Sequence, residues 1–320
     1  MKLQLLLLSL LLHLSCQNSK PDSNQKNTLK TVVSETSLVV LGTVQDAGSP
    51  HIACKKECCK NLFEKPDPLR KVVSLGFIDP QNNKSILFEA TPDITTQLKN
   101  LKQFSNREHE LPDAIFVSHA HIGHYTGLMY LGKEATNANQ VPVYVMPRMK
   151  GFIENNGPWR QLVSNKNIVL KEVQNKQEIK LSSNLRVIPF KVPHRDEFSE
   201  TVGFKIIGPQ KSVLFIPDID KWEKWETAIS KEIATVDYAF IDATFFDKKE
   251  INNRDISEIP HPFVIESMEL FKKLAAKEKQ KIYFIHFNHT NPILDLESDA
   301  HKLVLANGFK IAALNMVIPL

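Results

Sequence analysis

The stretch FVSHAHIGHYTGL, residues 116–128, decides the fold because it places three histidines directly after an apolar run. His119, His121 and His124 follow the spacing H-x-H-x-x-H. Eleven histidines occur in the 320 residues, and this spacing would arise by chance in roughly 1% of such chains. Since imidazole is the commonest metal ligand among side chains near neutral pH, the stretch predicts a metal site at the end of a buried strand. Gly123 stands inside the cluster, where such sites often carry a carboxylate.

Strand-like and helix-like segments alternate along the rest of the chain. Segments rich in β-branched and aromatic residues and bounded by turn residues predict eleven strands, at 37–43, 71–78, 84–90, 114–119, 141–146, 185–192, 201–207, 211–218, 236–243, 281–287 and 310–314. Helices are predicted at 93–102, 148–154, 222–231, 263–276 and 296–306. The stretch 185–218 reads as consecutive antiparallel strands. The pattern predicts an α/β fold with two sheets and helices packed outside them.

Further polar residues lie where other predicted strands end. His194 follows VIPFKVP, Asp218 ends SVLFIP, and His286 lies near the end of KIYFI. Ends of several strands that deliver polar groups to one sheet edge are the usual way to build an α/β site. An aspartate after a strand can instead cap a helix, and Asp220 fits that role better than Asp218. His194 could alternatively be a surface loop histidine.

The segment SHAHIGHYTGL is similar to the H-x-H-x-D-H signature of the metallo-β-lactamase superfamily. Three more segments, VLGTVQDAGSPHIACKKECC, LFEATPDI and FIHFNHTNPIL, resemble the branch that holds pyrroloquinoline quinone biosynthesis protein B and the phosphonate-pathway cyclic phosphodiesterase. The likeness runs from about residue 37 to the C-terminus. It implies one domain over residues 37–320, a four-layer αββα sandwich of two mixed sheets with helices outside.

The resemblance also implies a catalytic centre of five histidines and one aspartate. The first ion would be bound by His119, His121 and His194, the second by His124 and His286, with Asp218 bridging both. Zinc suits such ligands, and iron or manganese is an alternative. Because Gly123 stands where the superfamily has an aspartate ligand, we expect a weaker second metal site, or a mononuclear enzyme as isolated.

A second, structural zinc site is expected around HIACKKECCK. Cys54, Cys58 and Cys59 supply three thiolates and lack the fourth ligand of a tetrahedral site. The resemblance assigns that place to His289, with His51 as a reserve ligand. The alternative is a disulfide from Cys54 to Cys58 or to Cys59 with one spare thiol, as an oxidising compartment allows.

Other side chains are candidates for supporting roles. The resemblance places His261 where related phosphodiesterases keep a histidine that helps to protonate the leaving group, although a loop histidine is an equal reading. Trp159 and Arg160 could line a substrate pocket, with the guanidinium pairing a phosphate, or Trp159 could only pack. Asp242 could orient a ligand imidazole by hydrogen bonding.

The first residues, MKLQLLLLSLLLHLSC, carry Lys2 and a leucine-rich stretch too short to span a bilayer. We interpret residues 1–16 as a lipoprotein-type signal peptide with Cys16 as the lipidated residue, and residues 17–36 as a flexible tether. A plain signal cleaved near Ser15 is the alternative. The expected location is the periplasm or cell surface, with the chain anchored to the membrane.

Charged residues make up 24% of the chain, hydrophobic residues 42%, and the net charge is +4. This composition supports a packed core and does not indicate a nucleic-acid partner. We expect a metal-dependent hydrolase that uses a metal-activated water on a small ester-type substrate, with phosphodiesters first. The alternatives are an iron-dependent oxidative enzyme that resembles the quinone biosynthesis protein, and a lipoprotein that binds a ligand without catalysis.

Overall fold

The strands of the chain form two seven-stranded sheets in the computed structural model, which describes residues 32–251 and 255–320. The first sheet contains β1 (Ser37–Gly42), β2 (Ser74–Asp79), β3 (Lys84–Phe88), β4 (Ala114–Phe116), β5 (Val141–Val145), β6 (Ile168–Glu172) and β14 (Val317–Pro319). The second sheet contains β7 (Ile179–Lys180), β8 (Arg186–Lys191), β9 (Val202–Ile207), β10 (Ser212–Ile216), β11 (Tyr238–Asp242), β12 (Ile282–Ile285) and β13 (Lys310–Ile311).

Short helices connect most of these strands. The α-helices within the described ranges are α1 (Glu57–Lys60), α2 (Ile94–Lys102), α3 (Ile122–Tyr125), α4 (Pro147–Asn155), α5 (Trp159–Ser164), α6 (Ile229–Ala234), α7 (Val264–Leu270), α8 (Ala276–Lys279) and α9 (Asp299–Ala306). Single 3₁₀ turns lie at Thr126–Leu131, Trp222–Lys224, Lys248–Ile251, Ile256–Glu258 and Pro292–Leu294.

Both sheets follow the same plan. The first has the order β14-β1-β2-β3-β4-β5-β6 and the second β13-β12-β11-β10-β9-β8-β7. In the first sheet the pairs from β14 to β3 are antiparallel and those from β3 to β6 are parallel. In the second, the pairs from β7 to β10 are antiparallel and those from β10 to β13 are parallel. In the second sheet the strands β8, β10, β11 and β12 run in the same direction, so the loops that follow them lie at the same end of the sheet. The loop after β4 of the first sheet can meet them at this end of the sandwich.

Aromatic side chains fill the space between the two sheets. Phe88 of β3 lies 4.9 Å from Phe116 and 5.1 Å from Phe204, ring centre to ring centre, so one side chain joins both sheets. A second apolar layer separates the first sheet from α2, α4 and α5, and a third separates the second sheet from α6, α7 and α9. The layers therefore run helix, sheet, sheet, helix, and the αββα sandwich expected from the sequence is confirmed.

All eleven strands expected from the sequence are present, with ends that differ by up to three residues; most are shorter than expected, whereas β2 ends one residue later, at Asp79. The antiparallel run across 185–218 is confirmed by the register of β8, β9 and β10. Three strands were missed, namely β6, β7 and β14. All three are partly exposed edge strands, and β7 and β14, with two and three residues, are too short to show an alternating pattern.

The helix expected at 222–231 is wrong. The chain forms a 3₁₀ turn at Trp222–Lys224 and becomes helical again only at Ile229. Trp222 Nε1 donates a hydrogen bond to Ser267 Oγ (2.9 Å), whereas Trp225 Nε1 donates to the carbonyl of Lys191 (3.1 Å). Residues three apart would share one face of a helix, and these two tryptophans bind different neighbours, so the helix breaks between them.

The other expected helices differ at their ends. The helix expected at 263–276 stops at Leu270, and a separate short helix follows at Ala276–Lys279. The one expected at 296–306 begins at Asp299, where the Ser298 side chain accepts a hydrogen bond from the His301 amide as an N-cap.

The packed domain begins slightly before β1. The Val33 amide donates to the Phe104 carbonyl and the Leu320 amide donates to the Thr36 carbonyl, so the last residues of the expected tether lie on the domain. The expected signal peptide and Cys16 lie outside the described residues. Within the described ranges, no helix is both long enough and apolar enough to cross a membrane.

Candidate metal centre

The predicted ligands meet at the end of the sandwich where several strands finish. His119 and His121 follow β4 of the first sheet, while His194 follows β8, Asp218 follows β10, and His286 follows β12 of the second. His124 lies in α3, the short helix that opens directly after His121. The gap between two sheets therefore brings together residues that are far apart in sequence.

The first cluster consists of His119, His121, His194 and Asp218. The Nε2 atom of His119 lies 2.9 Å from Nδ1 of His121, which in turn lies 3.3 Å from Nε2 of His194. Asp218 Oδ2 is 3.1 Å from His194 Nε2 and 3.4 Å from His119 Nε2. Ligand atoms around a tetrahedral zinc with bonds of about 2.0–2.1 Å lie roughly 3.3 Å apart. The spacing of these atoms fits such an ion.

The second cluster consists of Asp46, His124, Asp218 and His286, all of them buried. Asp46 Oδ1 lies 2.9 Å from His124 Nε2 and 3.3 Å from His286 Nε2. Asp218 belongs to both clusters, which is the position that the resemblance implied for it. Asp46 was not a candidate from the sequence, because an aspartate in VQDAG, between a strand and a glycine, reads as an ordinary turn residue.

Each of the five histidines has its other ring nitrogen next to an oxygen. His119 Nδ1 lies 2.9 Å from Ser118 Oγ, and His121 Nε2 lies 3.2 Å from Glu197 Oε2. His194 Nδ1 is 3.1 Å from Asp220 Oδ1, His124 Nδ1 is 3.1 Å from Glu89 Oε2, and His286 Nδ1 is 2.9 Å from Thr244 Oγ1. Outer partners of this kind fix the ring orientation of metal-binding histidines. Asp220 therefore orients His194 and caps no helix.

Two residues of the centre hold a strained backbone. Glu89 and His286 have φ values of +72° and +68°, in the left-handed region that side chains other than glycine rarely adopt. Both are fully buried. Strain of this kind persists where surrounding structure over-determines it, as at functional sites.

Without metal, the pKa values of the histidines in the centre depend on a balance between burial and the neighbouring carboxylates. Burial lowers the pKa of His194, but Asp218 and Asp220 outweigh that effect and raise the pKa to about 9. Burial also opposes protonation of His124, yet Asp46 and Glu89 raise its pKa well above the usual value. For His119 burial wins, aided by repulsion from His124, and the pKa falls well below its usual value.

A bound metal fits these residues. Asp218 Oδ1 is buried and accepts no hydrogen bond of regular geometry within the described part of the chain, although His261 Nδ1 lies 3.1 Å away, and three ring nitrogens point at one place in the first cluster. Both features are costly unless a cation satisfies them. Residues of both clusters can therefore hold one ion each, with Asp218 between them.

His261 lies beside the bridging aspartate. Its Nδ1 is 2.9 Å from Asp242 Oδ2 and 3.1 Å from Asp218 Oδ1. Burial lowers the pKa of His261, but Asp218 and Asp242 raise it well above its usual value. Asp242 also lies 3.4 Å from His286 Nδ1, so it orients two imidazoles.

The two candidates Trp159 and Arg160 are not among the residues of the metal clusters. Trp159 packs with its ring centre 5.1 Å from Tyr125 and 6.0 Å from Phe152, which is a packing role. Arg160 is exposed on the same helix, α5.

The structure brings Cys54, Cys58, Cys59 and His289 together, with ligand atoms within 4.8 Å of one another. All three of these cysteines are free thiols, so neither disulfide considered for them is present. Burial and the neighbouring thiols raise the pKa of Cys58 to about 12, which a cation would offset. The ring centre of His51 lies 4.4 Å from that of His289, with the rings tilted by 35°, and His51 Nδ1 lies 2.8 Å from the carbonyl oxygen of Ile52, so His51 contacts the fourth ligand.

Comparison with known proteins agrees with this geometry. The family model of the β-lactamase superfamily domain matches residues 84–287. Coenzyme PQQ synthesis protein B of Methylorubrum extorquens (strain PA1) is 22% identical over 303 residues, which cover 86% of this chain and 97% of the relative. The same-named protein of Methylobacterium radiotolerans is 24% identical with equal coverage.

Two solved structures share the fold. The crystal structure of Zn²⁺-bound PqqB from Methylobacterium extorquens has a TM-score of 0.72 at 20% identity, covering 89% of this chain and all of the other. A diphosphatase from the PhnP family has a TM-score of 0.60 at 21% identity, with 88% and 96% covered.

A Cys54→Ser change tests the cysteine site. We expect purified protein to lose one bound zinc ion and keep those of the histidine centre, because one thiolate of four ligands is gone. Elemental analysis by mass spectrometry counts the ions. The control is His51→Ala, which should keep every ion. An unchanged zinc count in Cys54→Ser would contradict a zinc role for the thiols.

Proton release on metal binding tests the histidine centre. Since the pKa of His194 is about 9 without metal, its proton must leave before the ring can bind an ion. We expect zinc affinity to rise with pH and to level off near pH 9. Titration calorimetry in buffers of different ionisation enthalpy measures the protons, and the Cys54→Ser background removes the contribution of the thiols.

The stability of the metal-free fold depends on pH in the opposite direction to zinc affinity. Protonated His194 stabilises the metal-free fold below about pH 6.5, and this contribution is lost as the pH rises through the raised pKa. For metal binding, equal zinc affinity at about pH 6.5 and about pH 9, with no proton released when the ion binds, would show that the imidazoles do not bind the metal.

Proposed function

Because the chain belongs to the metallo-β-lactamase superfamily, we propose that it is a metal-dependent hydrolase that acts on an ester-type substrate. One observation carries the proposal, namely that a single buried aspartate, Asp218, is shared by two adjacent ligand clusters. Zinc is the first choice of metal, since the ligands are imidazole nitrogens and carboxylate oxygens at suitable spacing.

A metal ion bound there would polarise the substrate and lower the pKa of a bound water from 15.7 to about 7. The residues of the chain have three tasks around that ion. The histidines hold it in a fixed orientation through their outer partners. Asp218 supplies negative charge between the clusters, and the apolar layers behind them exclude bulk water.

His261 is the proposed proton donor to the leaving group. Its Nδ1 faces Asp242 and Asp218, so its Nε2 is the ring atom left to meet a substrate. The two carboxylates keep the imidazole protonated, which a donor requires. A leaving alkoxide is a poor leaving group until it gains a proton, and a protonated imidazole next to the metal ligands can provide it.

The rim of the site favours a substrate with an apolar part. Ile122 follows the ligand His121 and is 57% exposed, while Phe198 follows Glu197 and is 60% exposed. The ring centre of Phe198 lies 5.4 Å from that of Phe152, and the two rings are tilted by 35°. These aromatic rings form an apolar wall beside the ligands, and an aryl or alkyl group of the substrate would pack against it.

A phosphodiester is the first substrate class to test. Two proteins that share this fold are a diphosphatase from the PhnP family and, with a TM-score of 0.55, the short form of human tRNase Z, whose names denote cleavage of a diphosphate and of tRNA. These likenesses at 21% and 15% identity support the substrate class only by analogy.

An oxidative enzyme is the second candidate. The relatives that span most of this chain are coenzyme PQQ synthesis proteins, and imidazole and carboxylate ligands also suit Fe(II). Oxygen uptake by the iron-loaded protein would favour this candidate over hydrolysis.

Turnover of aryl phosphodiesters by the zinc-loaded protein tests the proposal. We expect hydrolysis of bis(p-nitrophenyl) phosphate that a chelator abolishes. In His261→Gln, kcat should fall by about 10²–10⁴-fold for a phenyl leaving group, with KM and the ion count unchanged. The loss should be smaller for p-nitrophenol, which leaves without full protonation.

His109→Gln is the matched control, because His109 is exposed and belongs to neither histidine cluster. An equal loss of kcat for both leaving groups would remove His261 from the proton-donor role. Fully metal-loaded protein that turns over neither phosphodiesters nor carboxyl esters would refute the hydrolase.

A further inference from the structure

We propose that Asp46 supplies the carboxylate that Gly123 cannot give to the second metal site. In this chain the ligand would come from the loop after β1 and no longer from the histidine motif. The inference rests on the proposed metal-dependent function, and it replaces the expectation of a weaker second site.

The space around Gly123 is already filled. A Cβ atom built on Gly123 would lie 2.4 Å from the Cα of Asp46 and 2.7 Å from its Oδ1. Real Cβ atoms essentially never approach backbone so closely, so any side chain at position 123 would displace the loop. Glycine at 123 and aspartate at 46 are therefore two parts of one arrangement, in which the loop occupies the place of the missing side chain.

The loop that carries Asp46 is fixed to the strand end that carries His286. The Gln45 amide donates to the Phe287 carbonyl and the Phe287 amide donates to the Thr43 carbonyl, both at 2.8 Å. Val44 pairs with Phe287 on one side and with Val72 on the other. These contacts flank Asp46 and His286 directly, so the two side chains are held side by side before any ion arrives.

The contacts of His124 leave its Nε2 atom facing Asp46. His124 Nδ1 lies 3.1 Å from Glu89 Oε2, so a ring N–H on this side of the imidazole has a carboxylate oxygen to which it can donate. In a neutral ring, Nε2 then presents a lone pair to Asp46 Oδ1 at 2.9 Å. Two lone pairs at that distance repel unless a cation or a further proton lies between them.

His286 leads to the same oxygen. Its Nδ1 is held by Thr244 Oγ1 at 2.9 Å, and its Nε2 lies 3.3 Å from Asp46 Oδ1. One carboxylate oxygen thus faces two ring nitrogens whose opposite sides are occupied. Together with Asp218 these atoms lie within 4.8 Å of one another. The second site therefore has two histidines and two carboxylates, which is a full tetrahedral ligand set.

The test is the metal content of variants at both positions. Asp46→Asn keeps the shape and removes the charge, while Gly123→Ala removes no ligand and pushes the loop away. We expect each to weaken binding of the second ion by more than about 100-fold, the upper end for loss of an outer partner. Zinc and cobalt are titrated into the metal-free full chain, with ion counts by mass spectrometry and the cobalt absorption spectrum as the second readout.

The controls lie in the same samples. Asp67→Asn changes a partly exposed carboxylate near the same loop and should bind every ion as the wild type does. Retention of the first histidine ion and of the cysteine-site ion shows that a variant is folded. An Asp46→Asn protein that binds the second ion with wild-type affinity would overturn the inference, as would a wild type that never binds it.

These outcomes separate this inference from the proposed function. A wild type that hydrolyses esters while its Asp46→Asn variant keeps both histidine-centre ions contradicts only the role of Asp46. A wild type that binds no ion at either histidine cluster contradicts both.

Discussion

The structure depends on burying a dense group of ionisable side chains between two sheets. Asp46, Asp218, Asp242 and Glu89 are all buried within one end of the sandwich, surrounded by imidazoles. Taking such carboxylates out of water costs several kcal/mol each unless positive charge compensates them. Protons on the histidines can supply that charge, as the raised pKa of His194 indicates. Ring nitrogens of His119 and His121 that face each other at 2.9 Å are better satisfied by a shared metal ion.

The fold holds these buried ionisable side chains in fixed positions. Aromatic rings centred on Phe88 join the sheets into one rigid body, and the same half-parallel plan in both sheets brings β4, β10 and β12 to a common end. The ligands thus sit on strand ends, whose positions the core fixes, and on loops tied to those ends. Preorganisation of this kind lowers the cost of assembling a site when the ion binds.

Most of the candidate ligands could be predicted from the sequence, because those at strand ends directly follow apolar runs that are recognisable as strands. His119, His121, His194, Asp218 and His286 all belong to that class, and the structure brings them together. The layered fold followed from strand count and from the resemblance. Short edge strands such as β7 and β14 carry too few residues for a pattern, and the break after Trp222 depends on tertiary hydrogen bonds that no local signal encodes.

Asp46 was missed for a different reason. An aspartate before Ala47 and Gly48 is typical of a turn, and only the three-dimensional position of the loop shows that it faces His124. Glu89 was missed likewise, although it lies in a segment on which the resemblance rested. The signal that could have found Asp46 was the glycine itself, because a ligand missing from one motif invites a search for a carboxylate in the others.

Anomalous X-ray diffraction from crystals grown with zinc, recorded on both sides of the zinc absorption edge, tests the central claim most directly. We expect one peak among His119, His121, His194 and Asp218, and another among Asp46, His124, Asp218 and His286. Crystals with saturating zinc and no anomalous density at either place would contradict it.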